Sequence, residues 1–448
     1  MSDFDVERRI IADQIRTRLK RIAKTIFTQR RPIGHVRAQV TGPGRGPERP
    51  PNRGWKPFTV PGLWGGFDQT TWFQLRWKVP KDLDGRCIAA LVRPQGESLV
   101  YINGVPKQGL DAARDCVLLT SRARAGDTFE LLLESVPSVR FDQTRLFEYA
   151  DVAVMHPTVW DAYWDFQVVL DVWDALPRNY APAQRLLELL NRAVKTVDLN
   201  CGEDGSVHIS QPWSGAVHPD SRMYEASLKE ARAILREGLR EFRAGAGTGR
   251  LTLTGHSHID TAWLWPIRET QRKCGRTFST VLSLMERYPE YHFSCSQPAQ
   301  YEFVKTHYPE LYRRIKRRVR EGRWEPNGCF WVEPDLNIPS GESLVRQAVY
   351  GNRFFRKEFG VHSRIAWVPD TFGYCWGLPQ ILKKAQVDFM ATAKLDWNQY
   401  TEFPYSLFQW EGTDGSRVVA VRPREYNGNI TPKKVIEQWA RYKQKDRT

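Results

Sequence analysis

Beyond residue 249 the chain alternates short β-branched and aromatic runs with longer helical patterns, and this alternation restricts the fold more than any other feature. Strand candidates fall at 251–255, 291–296, 323–326, 364–368, 389–393 and 417–421. Helix candidates fall between them at 270–288, 300–321, 343–359 and 377–385. Repeated β-α units need crossover connections, and these build a parallel sheet, open or closed. Such sheets gather functional side chains at the carboxyl ends of their strands.

The first 249 residues have a different texture. Residues 1–54 read as an N-terminal helix over 6–29, apolar at helical spacing on a basic background, followed by a Pro/Gly/Arg-rich linker from 42 to 54. Residues 55–157 read as an all-β, sandwich-like module. Its strand-like runs at 72–79, 87–92, 98–102 and 129–133 are separated by turns such as Asn103-Gly104. Such a module either binds carbohydrate or packs against the next domain. Residues 158–248 read as a helical connecting segment, with helices at 160–176, 182–196 and 221–244 and a Gly/Ala-rich boundary at 244–249. The α/β domain then occupies 249–448.

Several function classes are set aside by composition. The net charge is +15, but the Lys and Arg are spread along the chain and cluster only at 8–31 and 313–320, inside helical patterns. Without interleaved aromatic and basic motifs this reads as a solvated surface and not a nucleic-acid interface. No run approaches the ~18 apolar residues of a membrane span. The N-terminal residues lack the apolar core and cleavage site of a secretory signal. The seven Cys are scattered and form no CxxC pair, so the expected location is a reducing cytoplasm. Whether the chain is a homo-oligomer is left open.

The chemistry concentrates at two strand ends. The first is Thr254-Gly-His-Ser-His-Ile-Asp-Thr-Ala-Trp263. In extended geometry alternate residues share a side, so His256, His258 and Asp260 could face one point. Imidazole and carboxylate suit a divalent transition metal. The second is Ile365-Ala-Trp-Val-Pro-Asp370, a buried-type strand running into an Asp and a Gly turn. Asp370 could line the same mouth or merely cap the segment that follows. Glu325, Glu333 and Asp335 could line it too, or act as supporting residues behind it.

With these motifs the chain resembles glycoside hydrolase family 38, the α-mannosidases, in its cytosolic and bacterial branch. The resemblance rests on Gly255-His-Ser-His-Ile-Asp260 with Trp263 and on Val368-Pro-Asp-Thr-Phe-Gly-Tyr374. It is extended by Cys295-Ser-Gln-Pro-Ala-Gln-Tyr-Glu-Phe303, Trp331-Val-Glu-Pro-Asp335, Ser340-Gly-Glu-Ser-Leu-Val-Arg346 and Leu378-Pro-Gln-Ile-Leu382. The match runs from about 251 to 415. The resemblance implies a (β/α)7-barrel-like catalytic domain, incomplete at its C-terminal end. It implies one divalent metal ion, zinc or cobalt, held by His258, Asp260 and Asp370, with His256 not a ligand. Asp370 would also be the nucleophile, and Trp263 and Phe372 would pack around the mannose of an oligosaccharide substrate.

The family's fourth metal ligand, a His, and its general acid, an Asp, lie beyond the matched region. If the chain ended at 448 in nature, very weak or no turnover would be expected, with Glu325, Glu333 or Asp335 the only stand-ins for the acid. Trp376 departs from the family pattern where a small residue is expected. The competing expectations are a non-catalytic remnant that binds carbohydrate or a partner, and a different metal-dependent β/α hydrolase such as a deacetylase.

Overall fold

The computed structural model describes residues 3–42, 47, 49–137, 144–177, 179–200, 219–242, 251–423, 426, 428–442 and 444. The Gly/Ala-rich boundary expected at 244–249, part of the 42–54 linker and Cys201 lie outside them.

Helix α1 (Asp3–Lys24) buries Ile15, Leu19 and Ile22 from one face. It leads into β1 (Phe27–Pro32) and β2 (His35–Thr41). This corrects the reading of 1–54 as helix and linker alone, because both strands join the sandwich sheets. In β2, polar His35, Arg37 and Gln39 alternate with Val36, Ala38 and Val40, a period-2 pattern hidden by its basic surroundings. The strand pairs with β5 from His35–Arg76 to Thr41–Thr70.

The other sandwich strands are β3 (Lys56–Pro57), β4 (Gly62–Trp64), β5 (Thr70–Lys78), β6 (Ile88–Arg93), β7 (Glu97–Ile102) and β8 (Val105–Leu110). They continue with β9 (Cys116–Thr120), β10 (Thr128–Val136), β11 (Arg145–Phe147) and β12 (Tyr149–Met155). One sheet has the order β1-β12-β6-β9 and a second β3-β2-β5-β10-β7-β8, with β11-β4 as a separate pair. Every pairing is antiparallel.

The six-stranded sheet is buried on both faces. Phe73, Leu75, Val100, Leu131 and Leu133 point inward and meet Ile88, Ala90, Val92, Val152 and Val154 of the four-stranded sheet. Their neighbours Trp72, Leu99, Tyr101 and Leu132 point the other way, onto a helix of the α/β region. Of the two roles open to the module, packing against the next domain is therefore one it fills.

Three helices follow: α2 (Pro157–Ala175), α3 (Ala181–Thr196) and α4 (Arg222–Gly238). They share one apolar core with α1.

The α/β region opens with β13 (Gly255–His256), α5 (Ile267–Arg287), β14 (Phe293–Cys295), α6 (Pro298–His307), α7 (Pro309–Arg320) and β15 (Trp324–Pro326). It continues with α8 (Gly341–Phe359), β16 (Ile365–Trp367), α9 (Leu378–Lys384), β17 (Phe389–Ala391), β18 (Leu407–Glu411), β19 (Arg417–Val421) and α10 (Pro432–Arg441). The helix expected over 300–321 is two helices. Pro309 cannot donate a backbone hydrogen bond and excludes α geometry at Tyr308, which sits at φ −135°, ψ 61°. Strands β13, β14 and β15 form one parallel sheet. Strands β16, β17 and β19 form another, with β18 antiparallel at its edge. The Cys329 N–H donates to the Ile365 carbonyl at 2.8 Å between the two sheets. No closed barrel forms among the described residues. The strand expected at 251–255 shrinks to Gly255–His256, and Leu251 and Leu253 are exposed. No described helix is long and apolar enough to cross a membrane.

Helix α5 is the keystone between the two halves. Its Phe278 and Leu282 join the apolar cluster on the outer face of the six-stranded sheet. Gly275 is needed for the crossing with α6 and α7, because a Cβ there would strike the Tyr308 ring.

Candidate functional site

The site forms where the chain leaves β13. His256 is still in the strand, paired with Ser294. Its Nδ1 lies 3.0 Å from the Ser294 carbonyl, and its Nε2 is 3.3 Å from the Trp367 indole N–H. With Nδ1–H donating and Nε2 accepting, the ring is neutral, and burial lowers its pKa. His256 therefore does not share a focus with His258 and Asp260. The strict two-residue alternation ends with the strand, and 257–260 is irregular.

That irregular segment is held from several sides. Gln297 and Gln300, at the start of α6, both donate to the Ile259 carbonyl, at 2.9 and 2.7 Å. Thr261 Oγ1 donates to Gln297 Oε1 at 2.6 Å. Thr270 of α5 donates to the Asp260 carbonyl at 3.1 Å and accepts from the Trp265 indole at 3.0 Å. The Ser-Gln-Pro-Ala-Gln motif thus acts as a clamp on the loop.

His258, Asp260 and Asp370 converge. One side-chain atom from each lies within 4.8 Å of the other two. His258 Nε2 is 3.3 Å from Asp260 Oδ1 and 3.4 Å from Asp370 Oδ2. Behind the ring, Nδ1 lies 3.2 Å from Glu333 Oε2, and neither atom has another hydrogen-bond partner. Glu333 Oε1 accepts from Ser296 Oγ at 2.9 Å. Burial works to lower the His258 pKa, but Asp260 and Glu333 outweigh it and raise it to about 10.

Asp370 follows β16 in a turn, and no helix starts there for it to cap. Its Oδ1 accepts a hydrogen bond from the Tyr426 hydroxyl and pairs with the Lys394 ammonium. Burial alone would raise its pKa, but these two partners and His258 hold it below the usual carboxylate range. Gly373 completes the turn at φ +105°, a conformation open to glycine. A Cβ there would also collide with the Asn337 amide, which donates to the Phe372 carbonyl at 3.3 Å.

Lys394 is almost fully buried, with Nζ 3.2 Å from the Trp397 ring centroid and 4.3 Å from that of Phe372. Trp263 packs edge-on against Trp265 at 5.5 Å, and Phe372 against Trp397 at 5.8 Å. Trp263 and Phe372 are 54% and 70% exposed, so part of each ring is open to solvent. Trp376 is more exposed still.

The three further carboxylates divide. Glu333 backs His258. Asp335 accepts from the backbone N–H groups of Asn337 and Ile338, which lower its pKa. Glu325 sits at an exposed position of β15.

Lys394, Trp397 and Tyr426 were not anticipated. Lys394 closely follows β17, so the strand-end rule that selected Asp370 also applied to it. Tyr426 lies outside any strand or helix, and no sequence signal marked it.

The donor set fits a divalent cation. One imidazole nitrogen and two carboxylates face a common point, and the other imidazole nitrogen is backed by a buried carboxylate. That outer arrangement is the usual support of a metal-bound histidine.

Residues 248–448 match the family model of the glycosyl hydrolases family 38 N-terminal domain, and residues 45–169 that of the alpha-mannosidase jelly roll domain. Alpha-mannosidase 2C1 of Homo sapiens is 35% identical over 399 residues, 84% of this chain and 36% of that protein. Alpha-mannosidase G of Dictyostelium discoideum is 32% identical over 396 residues, 84% of this chain and 34% of that protein. An alpha-mannosidase of Saccharomyces cerevisiae is 45% identical over 170 residues, 38% of this chain and 16% of that protein. The chain thus carries a jelly-roll module joined to a glycosidase-type α/β domain. It belongs to glycoside hydrolase family 38, and it spans about a third of the length of the first two of these relatives.

Proposed function

We propose that this chain supplies the metal-binding and nucleophilic part of a retaining α-mannosidase acting on terminal α-mannose residues of oligosaccharides. The observation that carries the proposal is the double engagement of Asp370. One of its oxygens faces His258 and Asp260, and the other is held by Lys394 and Tyr426.

His258, Asp260 and Asp370 would hold the cation, with zinc the first choice for this nitrogen and oxygen set and cobalt the second. When bound, the cation supplies a Lewis-acidic anchor for vicinal sugar hydroxyls. Lys394 and Tyr426 keep Asp370 ionised and fix its orientation, so its carboxylate can attack the anomeric carbon. Attack inverts that centre, and water then inverts it again, which gives net retention. Trp263 and Phe372 offer ring faces to the apolar side of the sugar.

Retention also needs an acid/base carboxyl roughly 5–5.5 Å from the nucleophile. Glu333 is committed to Ser296 and His258, and Asp335 is held ionised by two backbone donors, so neither is suited to that role. A (β/α)7-barrel-like closure of the two parallel sheets and a cytoplasmic location belong to the same reading. The six described cysteines are all free, which suits a reducing compartment.

The test is hydrolysis of p-nitrophenyl α-D-mannoside by the protein stripped with chelator and reloaded with zinc or cobalt, with the first-formed sugar anomer read by proton NMR. Metal-dependent release of the α anomer is expected. A β first product, or no turnover after reloading with either ion, rejects the reading.

A further inference from the structure

A cavity of about 250 Å3 lies between the β4–β5 loop of the sandwich and the segment leading from the metal-ligand loop into α5. Gly66, Phe67, Asp68 and Gln69 form the sandwich wall, and Leu264 and Arg268 the opposite one. Leu264 directly follows Trp263, so the cavity continues the segment that carries Asp260 and the exposed indole.

Its chemistry is specific. Phe67 is 74% exposed, an unusual position for a large apolar side chain in a loop, and it presents a ring to the opening. Asp68 and Arg268 form an ion pair across the gap, which joins acceptor oxygens to guanidinium donors. Gln69 adds a neutral amide. Glu269 and Arg272 also line the cavity, and each is already matched: Glu269 pairs with Arg276, and Arg272 with Glu134. An aromatic ring, an amide and a compensated ion pair give a lining without net charge. That lining suits a neutral polyol with one apolar face and disfavours phosphate or nucleic acid.

We propose that this cavity is a secondary glycan subsite, which holds a sugar unit of the α-mannoside other than the one beside His258, Asp260 and Asp370. The choice of glycan rests on the function proposed above. The jelly roll thereby helps select the substrate as well as pack against α5.

Phe67→Ala and Arg268→Ala are the test variants, since both side chains sit at or near the surface. With α-linked mannotriose, Phe67→Ala should raise KM about five- to tenfold relative to its KM for p-nitrophenyl α-D-mannoside, the range of one aromatic contact. Arg268→Ala should shift the same ratio in the same direction, with kcat for mannotriose unchanged. An unchanged ratio in both variants overturns the subsite, as does an equal fall in kcat for both substrates. If the parent protein hydrolyses neither substrate, the proposed activity fails, and calorimetry with mannotriose still decides the subsite. Binding weakened by Phe67→Ala then supports it, and binding that is absent or unaffected overturns it.

Discussion

Arg272→Met would break a contact deep between the sandwich and α5. Arg272 Nε donates to Glu134 Oε1 at 3.0 Å, with the two side chains only 4% and 1% exposed. Removing one partner of a buried pair costs about 3–5 kcal/mol, because the other charge stays desolvated. Arg276 still attracts Glu134, so the lower end, about 3 kcal/mol, applies while Glu134 stays ionised. The cost should depend on pH. Burial pushes the Glu134 carboxyl up to about 7 from an ordinary 4.5, although Arg272 and Arg276 pull it down. A raised carboxyl pKa means the folded state binds the proton more tightly than the unfolded chain. That contribution is fully present below 4.5 and is lost as pH rises through 7. Without Arg272 the carboxyl rises further, so at pH 8 the variant takes up a proton that the parent does not hold, whereas at pH 5 the acid is neutral in both. Urea unfolding should show a deficit of about 1.5 kcal/mol at pH 8, where protonation of Glu134 limits the loss, and less than half of that at pH 5. Adding Glu134→Leu should restore stability to within about 1 kcal/mol of the parent. A deficit under about 1 kcal/mol at pH 8, or a double variant no more stable than the single one, would refute the reasoning.

Asp370→Asn should lower turnover of p-nitrophenyl α-D-mannoside by about 10⁴-fold or more while leaving circular dichroism unchanged; near-normal activity would reject its assigned role. Glu333→Gln should weaken zinc affinity about 10- to 100-fold in competition with a chromophoric chelator, since it removes the carboxylate behind His258. Glu97, although partly desolvated, is held at about 2 by Arg276 and Lys273. Its stabilising contribution is present above 4.5 and lost as pH falls toward 2, so Glu97→Gln should flatten the acid limb of the stability profile measured by thermal melts.

Periodicity located most of the architecture. Helices α5 and α8 and strands β14 to β17 fall within a few residues of their apolar patterns, because their buried faces repeat at the helical or strand period. What periodicity hid was context. Strands β1 and β2 fall largely between the expected helix over 6–29 and the expected linker over 42–54, and their basic residues mask the strand pattern. The strand expected at 251–255 shortened because pairing, not propensity, makes a strand. At the site, the strand-end rule brought His258, Asp260 and Asp370 to one mouth but misassigned His256, whose two nitrogens are taken up by Ser294 and Trp367. Glu333 takes the supporting position that the sequence left open, and Lys394 follows a strand end, but Tyr426 enters through a contact with a segment far away in the chain that no spacing rule encodes.

Those long-range contacts also explain why a divalent ion suits the place. With His258 neutral, Asp260, Glu333 and Asp370 set three negative charges against the single ammonium of Lys394. An excess of two negative charges in a partly desolvated mouth is unfavourable unless a cation offsets it. A proton on His258 offsets one of them, and its raised affinity for that proton reflects the same field. A dication at the shared focus offsets both and leaves the imidazole free to bind it, with Glu333 accepting from the ring's other nitrogen. Lys394 matters for the same reason. By pairing with the Asp370 oxygen other than the one beside His258, it leaves that carboxylate ionised but oriented, as the nucleophilic role proposed for it requires.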